Sequence, residues 1–461
     1  MDNSYQSIYT AQTKYFKSGA TRSIEFRKQQ LDKLEAMLRN NETVIQEALF
    51  KDLRKHPQEV YMTELGGVFE EIKDLKAGLR EWMRPRKTGS PFFLFPASSM
   101  LYPEPVGNVL IISPWNYPIY ITMNPLAGAI AAGNTIIIKP SEYSVHTSEL
   151  MAKLINENFP SEFIHVFLGD GAEVVPALLK NFHFDQVFFT GSTPVGKKIM
   201  EMAASHLSPV TLELGGKSPC IISSDANLTV AAKRIIWGKF VNAGQTCVAA
   251  DYLLVEESIK EKLVQVLIKE LENCYGENQQ QSDSYARIIN RKRFDTLVSY
   301  FSQGKILYGG KSDVEDSYIS PTLMDNVSLD SPLMQEEIFG PILPIFSYKD
   351  KSEALQIIER NPYPLALYVF TGNGATEKYF IDNVRFGGGC INETVLNLGN
   401  NELPFGGVGY SGHGAYHGKF SFDTFSHLKG VVKRATWFEP SFRHAPFGGF
   451  KTKIWRWLLG R

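Results

Sequence analysis

The sequence predicts an α/β fold built on doubly wound, mostly parallel sheets. From Val106 onward, strand-length apolar runs alternate with helix-length segments, the pattern of βαβ units. The runs are apolar throughout rather than every second residue, as in sheets covered on both faces. The 461 residues, 43% hydrophobic and 21% charged, suffice for about two or three domains at roughly 150 residues each.

Residues from about Ser4 to Trp82 read as helices, with Ile24, Phe26, Leu31, Leu34, Met37 and Leu38 at near-helical spacing. The stretch MRPRKTGSPFFLFPASS then breaks the pattern with Pro, Gly and Ser, as an extended arm or a solvated linker. VGNVLIISPW is a buried strand ending in a turn, NPLAGAIAAGN a helix and TIIIKPS a second strand. SVHTSELMAKLINENF, FIHVFLG, EVVPALLKNF and FDQVFFTGS continue as helix, strand, helix and strand. After Glu213 the alternation resumes with PCIISS, LTVAAKRIIWGKF and DYLLVEE, a second α/β domain. The last segment, WFEPSFRHAPFGGFKTKIWRWLLGR, is basic, aromatic and broken by Gly and Pro. Its end forms a short helix with Ile454, Trp455, Leu458 and Leu459 on one face. That pattern suits a membrane interface, and equally a tail packed on its own or a partner subunit.

A net charge of −1 gives no whole-chain attraction to nucleic acid or anionic lipid. The nine histidines lack metal-ligand spacing, so no metal site is expected. Cys220, Cys247, Cys274 and Cys390 form no C-x-x-C pair, which fits a reduced, cytoplasmic setting. The N-terminus lacks the apolar core of a secretory signal, and no run of about 18 apolar residues exists.

Five short segments can carry chemistry. In NAGQTCVAAD, Cys247 follows a Gly-containing stretch whose amides can face a ligand; as thiolate it can attack a carbonyl, and as a plain buried thiol it is only a small hydrophobe. In TLELGGKSP, Glu213 sits among apolar neighbours that raise a carboxyl pKa toward the range of a general base, or it merely caps a turn. In SPWNYP, at a predicted strand end, Asn116 offers an amide donor for an oxyanion. In TIIIKPSE, Lys139 and Glu142 can hold ribose hydroxyls. FFTGSTPVGKKI places Gly191 and Gly196 at a strand-to-helix turn whose amides attract phosphate.

Together with QEEIFGPILP and PFGGVGYSG, these segments make the chain resemble the aldehyde dehydrogenase superfamily, in family order from about residue 105 to 430. The compact N-terminus and GAYHGKFSFDTFSH resemble its class 3 branch, which includes fatty and aromatic aldehyde dehydrogenases. The resemblance implies NAD(P)-dependent oxidation of aldehydes to acids. Cys247 is then the nucleophile, Glu213 the base for the deacylating water, and Asn116 the oxyanion donor with the Cys247 amide. Lys139 and Glu142 match adenosine-ribose contacts, and Gly191, Ser192 and Gly196 the pyrophosphate segment. Glu337 and Phe339 match the nicotinamide-ribose contacts. Leu214, Gly215 and Trp115 belong to the same cofactor surface, and Tyr117 and Phe405 to the substrate funnel. The resemblance also implies a cofactor domain (residues 1–82 and 105–211), a catalytic domain (212–407), a small β arm joining subunits (83–104 and 408–435), a tail (436–461) and a homodimer.

Glu213 favours release to water, since the CoA-acylating branch generally lacks it. The Glu142 carboxylate would repel a 2′-phosphate, which favours NAD, although class 3 relatives often accept NADP as well. One position departs from the class 3 pattern: Ala250 replaces a proline, which predicts a looser backbone after Cys247. The rival readings are a cofactor-free esterase using the same thiol and base, and a non-catalytic protein on this fold. The second would be expected to have lost Cys247 or Glu213.

Overall fold

The computed structural model describes residues 3–460. A six-stranded sheet runs in the order Gly412–His413, Val210–Glu213, Gln186–Thr190, Asn108–Ile112, Thr135–Lys139, Ile164–Val166. All its pairs are parallel except the first. Asn108–Ile112 and Thr135–Lys139 are buried along their whole length, as their uninterrupted apolar runs require. From Asn108–Ile112 the chain moves outward to Ile164–Val166, then returns to place Gln186–Thr190 on the other side. The strand order therefore reverses between Asn108–Ile112 and Gln186–Thr190, and doubly wound sheets bind ligands at the carboxyl ends of such a pair.

A second sheet has seven strands, in the order Lys305–Tyr308, Thr322–Asp325, Ile342–Tyr348, Tyr252–Glu256, Pro219–Ile222, Ala366–Phe370, Gly388–Ile391. Only its Lys305–Tyr308 edge is antiparallel. A third, antiparallel sheet joins Arg86–Thr88 and Ser426–Arg434 to Ala97–Pro105, in register from Ser426 opposite Pro105 to Arg434 opposite Ala97.

Helices cover the six-stranded sheet. Ile24–Asn40, whose Ser23 side chain accepts from the Phe26 amide, buries Leu31, Leu34, Met37 and Leu38. Tyr120–Ala132 is apolar on every side and correspondingly buried. Between Pro57 and Trp82 the helical path changes twice: a single turn, Pro57–Val60, then the wider π turn Tyr61–Leu65, then the helix Gly66–Trp82. Such wide turns recur at functional sites.

The terminal helix Gly449–Leu459 sets Trp455 against Phe93 and Phe442. Ile454, Trp455 and Leu458 are half-buried, but Leu459 is exposed, because the helix touches its support along a narrower face than the sequence suggests. Among the described residues no helix is long and apolar enough to cross a membrane.

Candidate active site

Cys247 lies beyond the helix Leu228–Phe240, which Asn227 caps by accepting from the Val230 amide. Asn242, Ala243 and Gly244 follow with φ of 52°, 50° and 74°, a left-handed run costly for the first two. Gly244 admits no side chain, since a Cβ would overlap the Gly340 carbonyl. Gln245, fully buried, ties the loop: its amide donates to the Asn242 and Arg287 carbonyls (3.0 and 2.9 Å) and accepts from the Ile289 amide (3.1 Å). Ala250 is buried, with the Ala249 amide on the Thr246 carbonyl and the Asp251 amide on the Ser218 carbonyl. These bonds pin the backbone on either side of Ala250.

Cys247 is partly accessible and lines the same cleft as Glu213 and Glu337. Burial, then Glu337 and Glu213, push its thiol up to about 12. Glu213 ends the strand Val210–Glu213 and is 2% exposed; neither carboxyl oxygen has a hydrogen-bond partner. Burial raises its pKa well above the ordinary carboxyl range, as base work near neutrality needs. Asn116 stands in the turn after Asn108–Ile112. Its Nδ2 donates to the Gln245 carbonyl at 3.0 Å, which commits one N–H and leaves the other. Its own carbonyl accepts from Lys55 Nζ (2.9 Å) and Asn242 Nδ2 (2.8 Å).

Two cavities meet at this point. A cleft of about 730 Å³ lies over the carboxyl ends of the six-stranded sheet, against Pro114–Asn116, Thr190–Pro194 and Leu214–Lys217. A chamber of about 330 Å³ lies on the other side, walled by Tyr117, Tyr120, Trp237, Leu365, Val395 and Phe405. Ile121, Thr190, Glu213, Leu214 and Cys247 border both. A thiol and an unpartnered carboxyl thus stand where the cleft opens into the chamber. The description of one family, the aldehyde dehydrogenase family, matches residues 2–431.

The chain belongs to the aldehyde dehydrogenase family. It is 47% identical over 446 residues to 4,4′-diaponeurosporen-aldehyde dehydrogenase of Staphylococcus aureus, covering 96% of each chain. To the dimeric NADP-preferring aldehyde dehydrogenase of Mus musculus it is 43% identical over 420 residues, 91% of this chain and 92% of that one. The solved substrate-bound AldH of Staphylococcus aureus superposes with a TM-score of 0.96 at 45% identity, covering 99% of both chains. The enzyme carries out NAD(P)-dependent oxidation of aldehydes to carboxylic acids.

The cleft suits a dinucleotide. The helix Thr193–Ala204 opens onto it with Ser192 at its N-cap and no side chain capping the first amides, the arrangement that receives phosphate. Thr190 Oγ1 and Arg293 Nε are buried on the cleft wall without partners. At Gly215 a Cβ would overlap the Glu337 carboxylate. Trp115 meets Phe339 edge to face at 5.3 Å. Burial and Asp251 push Glu337 up to about 8.

Trp115, Gly191, Ser192, Leu214, Gly215, Glu337 and Phe339 line this cleft with Asn116, Glu213 and Cys247. Tyr117 and Phe405 line the chamber. Three of the residues singled out by sequence stand apart from both walls. Lys139 is buried at the end of the neighbouring strand, with Nζ on the Pro140 carbonyl (2.5 Å) and Glu142 (3.1 Å). Gly196 lies one turn into its helix, where a Cβ would press on Leu214, so its smallness serves packing. Among the described residues no cluster of groups suits a metal ion.

Sequence reasoning passed over Lys55, Glu59 and Glu64, all buried behind Asn116. It also missed Thr246, whose hydroxyl pairs with Tyr117 at 2.6 Å. Lys217 was missed as well; it pairs with Asp251 and donates to the Leu333 and Glu336 carbonyls, anchoring the loop that carries Glu337. Charges on short helices read as solvated faces, and nothing local marks these as turned inward.

Proposed function

We propose that Cys247 is the nucleophile, Asn116 with the Cys247 amide the oxyanion hole, and Glu213 the base. The observation that carries this reading is the meeting of Cys247 and an unpartnered Glu213 at the junction of cleft and chamber. Cys247 loses its thiol proton to solvent, and its sulfur bonds to the aldehyde carbon as the carbonyl pair moves onto the oxygen. The uncommitted N–H of Asn116 stabilises the oxygen that gains charge. When bound, NAD(P) supplies the hydride acceptor. The acyl group is left as a thioester on Cys247, and Glu213 takes a proton from the water that hydrolyses it. Trp115, Gly191, Ser192, Leu214, Gly215, Glu337 and Phe339 would hold the cofactor along the cleft, with Lys139 and Glu142 at the next strand end taking its adenosine ribose and Gly196 keeping the phosphate-facing helix close to Leu214. The Glu142 carboxylate, held by Lys139, favours NAD over NADP.

The apolar chamber supports medium- or long-chain aliphatic and aromatic aldehydes as substrates, with Tyr117 and Phe405 among its walls. The units are residues 1–82 with 105–211 for the cofactor, 212–407 for catalysis, 83–104 with 408–435 as the arm, and the tail 436–461. Val431 and Val432, 42% and 52% exposed on the outer arm strand, support a homodimer joined there. Phe447, Phe450 and Trp457 are exposed beside Lys451, Lys453 and Arg456, which supports a cytoplasmic enzyme touching membrane peripherally. Deleting residues 451–461 should then lower pelleting with anionic vesicles; unchanged pelleting removes that role.

The deciding experiment is absorbance at 340 nm with aldehydes of two to sixteen carbons, NAD or NADP, and the acid measured as product. Reduction by Cys247→Ala near the wild-type rate would sink the assignment, and ester cleavage alone, without reduction, would favour the esterase.

A further inference from the structure

We infer that Lys55 and Glu64 are positioning residues: an internal ion pair that fixes the turn carrying Asn116 against the loop carrying Cys247. The inference rests on the reading of Asn116 as oxyanion donor.

Both side chains are fully buried, with Nζ and Oε1 2.5 Å apart. Neither is used up by the other. Lys55 Nζ also donates to the Asn116 carbonyl at 2.9 Å and lies 3.9 Å from the centre of the Tyr117 ring. Glu64 Oε2 accepts from the amides of Ile119 and Tyr120, at 3.1 and 3.0 Å. Those amides open the helix Tyr120–Ala132 and have no partner within it. A carboxylate suits that position, which is the positive end of the helix. The pair therefore grips residues 116, 117, 119 and 120, the turn that supplies Asn116 to the cleft and Tyr117 and Tyr120 to the chamber.

The same segment also holds the opposite half of the site. Glu59, fourth after Lys55, accepts from the Asn242 amide through Oε1 at 2.9 Å. Asn242 in turn donates from Nδ2 to the Asn116 carbonyl at 2.8 Å. Asn242 starts the left-handed run that leads to Cys247, and a strained conformation persists only where its surroundings over-determine it. Residues 55–64, with the π turn that carries Glu64, thus bracket turn and loop together. Two charges are a poor choice for stability alone, since an apolar pair of similar volume commonly packs as well. What an apolar pair lacks is a donor for the Asn116 carbonyl and an acceptor for two helix-start amides.

The test uses the full-length enzyme with Lys55→Met/Glu64→Leu, which removes both charges and keeps volume. The melting temperature is expected to fall, because the Ile119 and Tyr120 amides lose their acceptor, while the NAD dissociation constant stays near wild type. The pre-steady-state burst of NADH should slow about tenfold, since small misplacements of catalytic groups cost up to about a hundredfold. Made in Asn116→Ala, the same pair should slow the burst less than about twofold, because residues acting through one group are not additive. Lys55→Arg should recover much of the rate. An equal factor in both backgrounds overturns the inference, as does a wild-type burst in Lys55→Met/Glu64→Leu. An unchanged burst in Asn116→Ala itself identifies the donor assignment as the failed step. Glu64→Gln provides the same comparison if the apolar pair does not fold. Failure of both to fold makes the pair a folding element and overturns the positioning role.

Discussion

Replacing Glu213 by Gln preserves its volume and removes its basicity. Neither carboxyl oxygen has a protein partner, so the exchange breaks no hydrogen bond. A positioned general base contributes about 10²–10⁴ in rate, or ~2.7–5.4 kcal/mol at ~1.36 kcal/mol per decade. A second carboxyl, Glu337, also neighbours Cys247 and is raised to about 8, so a residual base remains. The expected loss in kcat is accordingly at the lower end, about 10²-fold. Stopped-flow absorbance at 340 nm should show about one equivalent of NADH per site formed quickly, followed by a slow steady state. In the wild type, kcat should rise with pH as the raised Glu213 carboxyl loses its proton; in the variant that rise should be lost. Stability should move as well. A carboxyl whose folded pKa is raised holds its proton in the native state after the unfolded chain has released it. Native stability therefore falls as pH climbs from about 4.5 toward the folded value. Glu213→Gln escapes that fall and should melt higher than wild type at neutral pH. A slow single phase with no burst would refute the deacylation role, and an unchanged kcat would refute the base altogether.

Cys247→Ala should show no aldehyde-dependent reduction, while Asn116→Ala should form NADH about 10²–10³-fold more slowly in the burst, as for removal of one oxyanion donor. Gly215→Ala should raise the KM for NAD, because the new methyl displaces the Glu337 carboxylate; an unchanged KM would separate Glu337 from cofactor binding. Phe405 stacks on His417 at 5.3 Å and meets Tyr416 edge to face at 5.6 Å. Phe→Ala in a core costs about 3–5 kcal/mol, and one face of this ring borders an open chamber, so ~2–3 kcal/mol is expected by denaturant titration.

The sheets were legible because their strands are fully apolar runs separated by helix-length segments, and Val109–Ile112 and Ile136–Ile138 admit little else. Cys247, Glu213 and Asn116 were legible because each follows a strand or helix at a Gly- or Pro-marked turn, where a chain can present a side chain to a cleft. Their supports were not. Lys55 and Glu64 belong to a helical region dense in charge, and only packing against residues 116–120 shows that they face inward. Gly196 carried a phosphate-loop spacing, yet its missing side chain makes room for Leu214. Gly412–His413 is too short for any periodicity to betray, although it pairs with the strand that ends in Glu213.

That last pairing ties Glu213 to the order in which the chain is made. Gly412 pairs with Glu213, and the Leu214 amide donates to the Ser411 carbonyl at 3.0 Å. During synthesis the edge of Val210–Glu213 waits for a partner about two hundred residues downstream, or about 10–40 s at 5–20 residues per second. Over that interval it is an open edge of the kind that templates pairing with other chains. A nascent chain stalled short of residue 411 would carry Asn116, Glu213 and Cys247 and still present Glu213 on an unsealed border.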